Sequence, residues 1–175
     1  LPSNLEAEQA LIGSILVNND IIDEISNIVN RNEFYDPIHI KIYGLIENLH
    51  NKGMIANPIT LKNSLQKDPG LSDIGGTEYL VKLTRFSSSV KQSVDYAKII
   101  HEKFVRRELV KISQRLNDDS LDDATEKSGE IIIQDTEKSL FDLAERGTFS
   151  QSFLEFGKAL DQTIEMATNA MKNDK

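Results

Sequence analysis

The chain has 175 residues, 39% of them hydrophobic and only 6% aromatic, with no Trp, no Cys and a net charge of −8. That length fits one domain or one domain with an appendage, and the lack of cysteine excludes a disulfide framework or a thiolate metal site and suits the cytoplasm. No apolar run approaches the roughly 20 residues of a membrane span, and the N-terminus lacks a signal-peptide pattern, so no membrane role is expected.

Nearly every segment reads as helix. Leu1 is not a start methionine, and the chain is expected to be a piece of a longer protein. Ser3-Asn4-Leu5-Glu6 forms a capping-box pattern with Ser3 as the cap. Ala7, Leu11, Ser14 and Ile15 then share a helical face, and Gly13 would let another helix approach closely. Asn18-Asn19-Asp20 ends this helix and caps a second, with the stripe Ile21, Ile22, Ile25, Ile28 and Val29. Asp36-Pro37 opens a third helix carrying Ile38, Ile42, Leu45 and Leu49, closed by Gly53. Asn57-Pro58 starts a fourth with Leu61 and Leu65, Asp68-Pro69-Gly70 reads as a turn, and Gly75-Gly76-Thr77 leads into a fifth with Tyr79, Leu80 and Leu83.

Ser87-Ser88-Ser89 marks the border of a compact head, residues 1–89. An antiparallel hairpin, residues 90–147, follows, with helices over roughly 92–116 and 124–146 and Asn117-Asp118-Asp119-Ser120 as the turn. One arm carries Ala97, Ile100, Phe104, Val105, Leu109, Ile112 and Leu116; the other carries Ile132, Ile133, Leu140, Leu143 and Ala144. Gly129 near the start of the second arm disfavours helix, and Gly147 ends the hairpin. Residues 148–175 form a terminal helix, opened by Ser152-Phe153-Leu154-Glu155 and striped with Phe153, Phe156, Leu160, Ile164, Ala167 and Met171. Such a stripe must be covered, either by its own head or, the preferred reading, by another subunit or an absent domain. The expected fold is all-α: head, hairpin, linker helix.

Charge is unevenly spread. Residues 97–115 hold six bases against two acids, and residues 117–146 hold ten acids against three bases. The contrast fits a hairpin whose arms attract each other, and it fits equally two solvated faces of opposite sign.

Candidates for chemistry are poor. Gly70-Leu71-Ser72-Asp73-Ile74-Gly75-Gly76-Thr77 matches a P-loop except that Gly76 stands where the lysine should be, and no strand precedes it. It reads as a turn before a helix. His39, His50 and His101 form no ligand cluster, and His39, sharing a face with Tyr43, suits a structural hydrogen bond. Glu6 and Glu8 do not face each other on a helix and complement its dipole instead. No catalytic, cofactor-binding or metal-binding residue is assigned. The basic helix could touch phosphates, but no aromatic residues interleave it for stacking.

Four segments carry a family resemblance: Leu5 to Leu16, Phe34-Tyr35 with His39 and Ile42-Tyr43-Gly44-Leu45-Ile46, Gly75-Gly76 with Tyr79-Leu80 and Leu83, and Tyr96-Ala97-Lys98-Ile99-Ile100 with Arg107-Glu108-Leu109. In this order and spacing they resemble the N-terminal domain of DnaB-type replicative DNA helicases, most clearly over residues 1–116. The resemblance implies a head and hairpin that self-associate as dimers and a trimer of dimers, a hexameric collar. It implies a linker helix that docks on a neighbour's RecA-like motor domain. The parent would bind ATP and Mg and unwind DNA 5′ to 3′ at the replication fork; the piece at hand would do neither and would need no cofactor.

The family collar recruits the C-terminal region of primase, which carries over to Tyr79, Val110 and Leu116, although ordinary core or hairpin packing is the favoured account of all three. Self-association falls to Leu109, Ile112, Ile132, Ile133 and Leu140, and linker docking to Phe153, Phe156, Leu160 and Ile164. A helicase loader is a further possible partner, and DNA would be met mainly through the motor. Two departures stand out: Ser87-Ser88-Ser89 where the family often has proline, and Gly53-Met54-Ile55-Ala56-Asn57-Pro58 where it has Gly-x-Pro-Ile-Asp. The rival reading is a stand-alone helical adaptor, loader-like or regulatory, with no motor.

Overall fold

The computed structural model describes residues 1–124, 126–146 and 148–173, the side chains of 148–157 excepted. Among the described residues there is no strand; the chain is α1 Leu5–Val17, α2 Ile22–Ile25, α3 Pro37–Asn51, α4 Pro58–Leu65, α5 Pro69–Asp73, α6 Glu78–Thr84, α7 Val90–Leu121, α8 Gly129–Glu145 and α9 Thr148–Asn173. It divides into two compact units, Leu1–Arg107 and Glu108–Lys175. No helix among the described residues is long and apolar enough to cross a membrane.

The first unit is built around α1. Every residue from Ala10 to Leu16 is buried, as are Ala7 and Glu8, so this helix is surrounded rather than laid on a surface. Gly13 makes that possible: a Cβ there would lie 1.9 Å from the Leu83 carbonyl oxygen, so α6 crosses α1 backbone to backbone. Ser14 closes the crossing, donating its hydroxyl to Ala10 O while accepting from Ser88 N at 2.9 Å. Around this axis pack Ile22, Ile25 and Val29, then Ile38, Ile42, Tyr43 and Ile46 of α3, Leu61 and Leu65 of α4, Leu71, and Leu80 and Leu83 of α6.

Helix ends follow local chemistry. Asp36 accepts from Ile38 N at 2.9 Å, with Pro37 at the first helical position, where its missing N–H costs nothing. At the other end Gly53 adopts φ 71°, letting Gly53 N reach His50 O and Met54 N reach Leu49 O, both at 2.9 Å. This is a complete Schellman closure. Asn57 and Thr60 form a reciprocal capping box at α4.

Several boundaries differ from expectation. The cap of α1 is Asn4, accepting from Ala7 N, not Ser3. The second helix is one turn long, because Asn19–Ile21 is a 3-10 turn and the chain leaves the helix after Ile25. Asp68 is the cap of α5 rather than part of an open turn. Residues 117–120 lie within α7, which continues to Leu121. Gly129 is not interior: it is the first residue of α8, capped by Ser128, where its lack of helix propensity matters least. α9 begins at Thr148, so Ser152 is inside the helix and not its cap. Gly147 lies outside the described residues. The P-loop look-alike is α5 with its closing turn, Gly75 and Gly76 at φ 108° and 67°.

In the second unit Ile112, Arg115, Leu116 and Asp119 of α7 share a groove with Asp135, Ser139 and Asp142 of α8, and α8 and α9 touch. Leu143 is its single buried hydrophobic residue among the described ones.

Candidate functional site

The start of α6 places Tyr79 at the head surface, 8% exposed. It helps line a hollow of about 520 Å³ with Ile74, Gly75, Glu78, Val81, Lys82 and Arg85. Behind the ring runs a buried polar relay. His39 Nε2 lies 2.7 Å from the Tyr79 hydroxyl and Nδ1 lies 2.9 Å from Glu8 Oε1. Glu8 also accepts from Tyr35 N at 3.0 Å and Asp36 N at 3.2 Å. Gln9 donates to the Tyr79 hydroxyl at 3.3 Å. Burial pushes the Tyr79 phenol up from its ordinary value. No described buried side-chain nitrogen or oxygen lacks a partner.

The structural role expected of His39 is present, but with other partners: Tyr43 instead donates to Val29 O at 3.1 Å. Glu8 does more than complement a dipole; at 2% exposure it is the acceptor that ties α1 to the start of α3.

A second seam binds α7 to the head. Its buried residues Ser93, Ala97, Ile100, Phe104 and Arg107 recur every three or four positions, then stop. Arg107 donates to Pro2 O at 2.8 Å and Glu33 O at 2.7 Å, with its guanidinium over the rings of Tyr35 and Phe104. The Glu33 carboxylate accepts from Asn30 N at 2.6 Å and bonds His101 Nδ1.

That contact to Glu33 raises the His101 pKa above its ordinary value, outweighing burial, which lowers it. The folded value therefore exceeds the unfolded one, so the ion pair stabilises fully below about pH 6.5 and fades as pH rises through the folded value. His101→Gln should cost up to ~2 kcal/mol at about pH 6 and progressively less towards about pH 9. Urea unfolding of both proteins across that range checks it; a gap that widens with pH would refute the assignment.

The hairpin residues lie open. Leu109, Leu116, Ile133 and Leu140 are exposed, while Val110, Ile112 and Ile132 are half-buried. Phe141, which the periodic reading passed over, is 57% exposed on the same helix, and Ile131 is exposed too. Ile112 and Leu116 border a groove with Arg115, Asp119, Asp135 and Asp142. The arms attract less directly than their charges suggested. Arg106 pairs with Glu102 and Lys111 with Glu108 along α7 itself, and Lys127 in the connection pairs with Asp119 and Asp135.

Tyr79 belongs to the first unit, Val110 and Leu116 to the second. On α9 every described side chain from Lys158 to Asn173 is exposed, Leu160 and Ile164 included. The side chains of Phe153 and Phe156 lie outside the described residues. His39, His50 and His101 each pair with a carboxylate, those of Glu8, Asp23 and Glu33, rather than with one another.

Residues 1–102 match the family described as DnaB-like helicase N terminal domain. The replicative DNA helicase DnaB of Rickettsia felis is 38% identical over 174 residues, 99% of this chain and 35% of its own length. That of Pasteurella multocida is 32% identical over 151 residues, 85% of this chain and 32% of its own. The chain thus spans about a third of the length of the curated relatives it matches. Among solved structures, the N-terminal domain of DnaB helicase from Mycobacterium tuberculosis aligns with a TM-score of 0.69 at 27% identity, covering 81% of this chain and 98% of that one. A DnaB-like replicative helicase, described with its interactions with primase, aligns at 0.64 and 22% identity, over 88% of this chain and 35% of that one.

Proposed function

The chain belongs to the DnaB-like helicase N-terminal domain family, and from that premise we propose that it is the oligomerisation and primase-recruiting domain of a replicative DNA helicase. Residues 1–89 act as head, 90–147 as hairpin and 148–175 as linker helix. ATP and Mg binding, DNA unwinding and most DNA contact belong to the remaining two thirds of a parent of the relatives' length, which works in the cytoplasm. Tyr79, Val110 and Leu116 are the primase contacts, in keeping with the primase interactions described for the related helicase. Leu160 and Ile164, with Phe153 and Phe156, dock the linker helix on the motor part of a neighbouring subunit. A helicase loader is a further partner.

The observation that carries this reading is the shortage of core in the second unit. A unit whose described residues bury a single hydrophobic side chain, Leu143, while Leu109, Ile133, Leu140 and Phe141 face solvent, needs another surface to cover it. A second copy offers the same surface and satisfies two-fold symmetry, in which identical patches meet.

Light scattering on the 175-residue chain should therefore give a multiple of the monomer mass. Ile133→Glu with Leu140→Glu should shift it to monomer with the head intact, since burying two carboxylates costs several kcal/mol. Monomer mass for the unmodified chain at high concentration would end the self-association reading.

A further inference from the structure

We propose that Glu8 and His39 are positioning residues for the docking surface at Tyr79: they bind its hydroxyl inside the head, so that a docked partner meets the ring alone. This rests on the reading of Tyr79 as a primase contact. A tyrosine beside a surface hollow ordinarily keeps its apolar ring packed and its hydroxyl wet. Here the arrangement is reversed. The hydroxyl sits between His39 Nε2 and Gln9 Nε2, while Tyr79 itself lines the hollow.

The proton inventory supports this. An ionised carboxylate only accepts, so His39 Nδ1, facing Glu8 Oε1, carries a proton, and Glu8 thereby sets the tautomer. When the imidazole is neutral, Nε2 accepts the Tyr79 hydroxyl proton; when it is charged, Nε2 donates to the hydroxyl oxygen. Either way the hydroxyl is held inward. Glu8 is itself fixed by the Tyr35 and Asp36 amides, so α1, the start of α3 and α6 all bear on one oxygen. The His39 ring lies nearly parallel to that of Tyr79, with an interplanar angle of 9° and centroids 6.1 Å apart.

The relay is complete without a partner, so the docking group owes Tyr79 no hydrogen bond. An apolar side chain fits against the Tyr79 ring, Ile74 and Val81. Lys82 and Arg85 on the same hollow outnumber Glu78 and favour a carboxylate beside it.

The test is the affinity of the 175-residue chain for the helical C-terminal region of primase from the same source, by calorimetry, with folding checked by circular dichroism. Tyr79→Ala should weaken binding ~10-fold, whereas Tyr79→Phe, which keeps the ring, should stay within ~2-fold. His39→Leu replaces the shorter of the hydroxyl's two hydrogen bonds with an apolar side chain and leaves only the 3.3 Å contact from Gln9, which drives the ring outward and should cost ~10-fold. Adding Tyr79→Phe to His39→Leu leaves no hydroxyl to expel and should restore binding, a rescue that a purely structural role for His39 would not produce.

The proposal is overturned if Tyr79→Phe binds as poorly as Tyr79→Ala, because the hydroxyl then contacts the partner. It is equally overturned if His39→Leu binds like the unmodified chain. Wild-type affinity in Tyr79→Ala is a separate failure, that of the docking reading itself. Should His39→Leu not fold, the contrast between Tyr79→Phe and Tyr79→Ala still decides.

Discussion

Replacing Gly13 with alanine is expected to destabilise the first unit by ~3 kcal/mol or more, lowering its melting midpoint by about 10 °C. The added methyl would sit 1.9 Å from the Leu83 carbonyl oxygen and 2.8 Å from its carbon. Both are backbone atoms of α6, so no rotamer change relieves the clash. The helices must separate, and each fraction of an ångström loosens the contacts of Leu11, Ile12, Leu80 and Leu83, which are fully buried. Gly129→Ala is the matched control. Nothing lies within 4 Å of a Cβ there, and the change should fall within ~0.5 kcal/mol or stabilise slightly. Thermal melts followed by circular dichroism compare the two; equal midpoints would mean that α1 and α6 are not locked at Gly13.

Glu8→Ala is expected to cost ~3–5 kcal/mol, as removal of one member of a buried hydrogen-bonded pair does. Three donors lose their acceptor at once: the Tyr35 and Asp36 amides and His39 Nδ1. Glu6→Ala, two residues away and exposed, should be nearly neutral. Glu8→Gln should fall between, because its carbonyl still accepts while its amide group meets donors. Urea denaturation reports all three, and a loss below ~1 kcal/mol for Glu8→Ala would show that water replaces the carboxylate.

The contrast between Glu6 and Glu8 marks how far the sequence could be read. Both glutamates sit in the first turn of α1, and a local rule treats them alike. What separates them is Tyr35, Asp36 and His39, about 30 positions on, and no local pattern points across that gap. By the same logic the ends of α3 were legible, since Asp36, Pro37 and Gly53 act on backbone groups within a few residues of themselves. Gly13 was legible in kind but not in partner: a glycine within an apolar stripe announces a close approach, but not to Leu83.

Composition misled at residues 117–120. Asn, Asp and Ser compete for backbone hydrogen bonds and so suggest a turn. Yet α7 keeps its ladder there, with the Ser120 hydroxyl donating to Leu116 O at 2.6 Å, a bond that a helix accommodates. The hairpin stripes were visible as periodicity, but periodicity cannot say whether an apolar face is covered. That had to come from the exposure of Ile133, Leu140 and Phe141.

The Arg107 clamp has a consequence for synthesis. Its guanidinium closes on Pro2, 105 positions earlier, and the surface of α1 waits for α6 and α7 before it is enclosed. A ribosome adding ~5–20 residues per second needs about 5–20 s to cover that distance. For that interval Leu11, Ile12 and Ile15 are made but lack the neighbours that α6 and α7 supply. Translation speed between Val17 and Arg107, rather than the intrinsic rate of helix formation, sets how long this segment is open to chaperones or to aggregation.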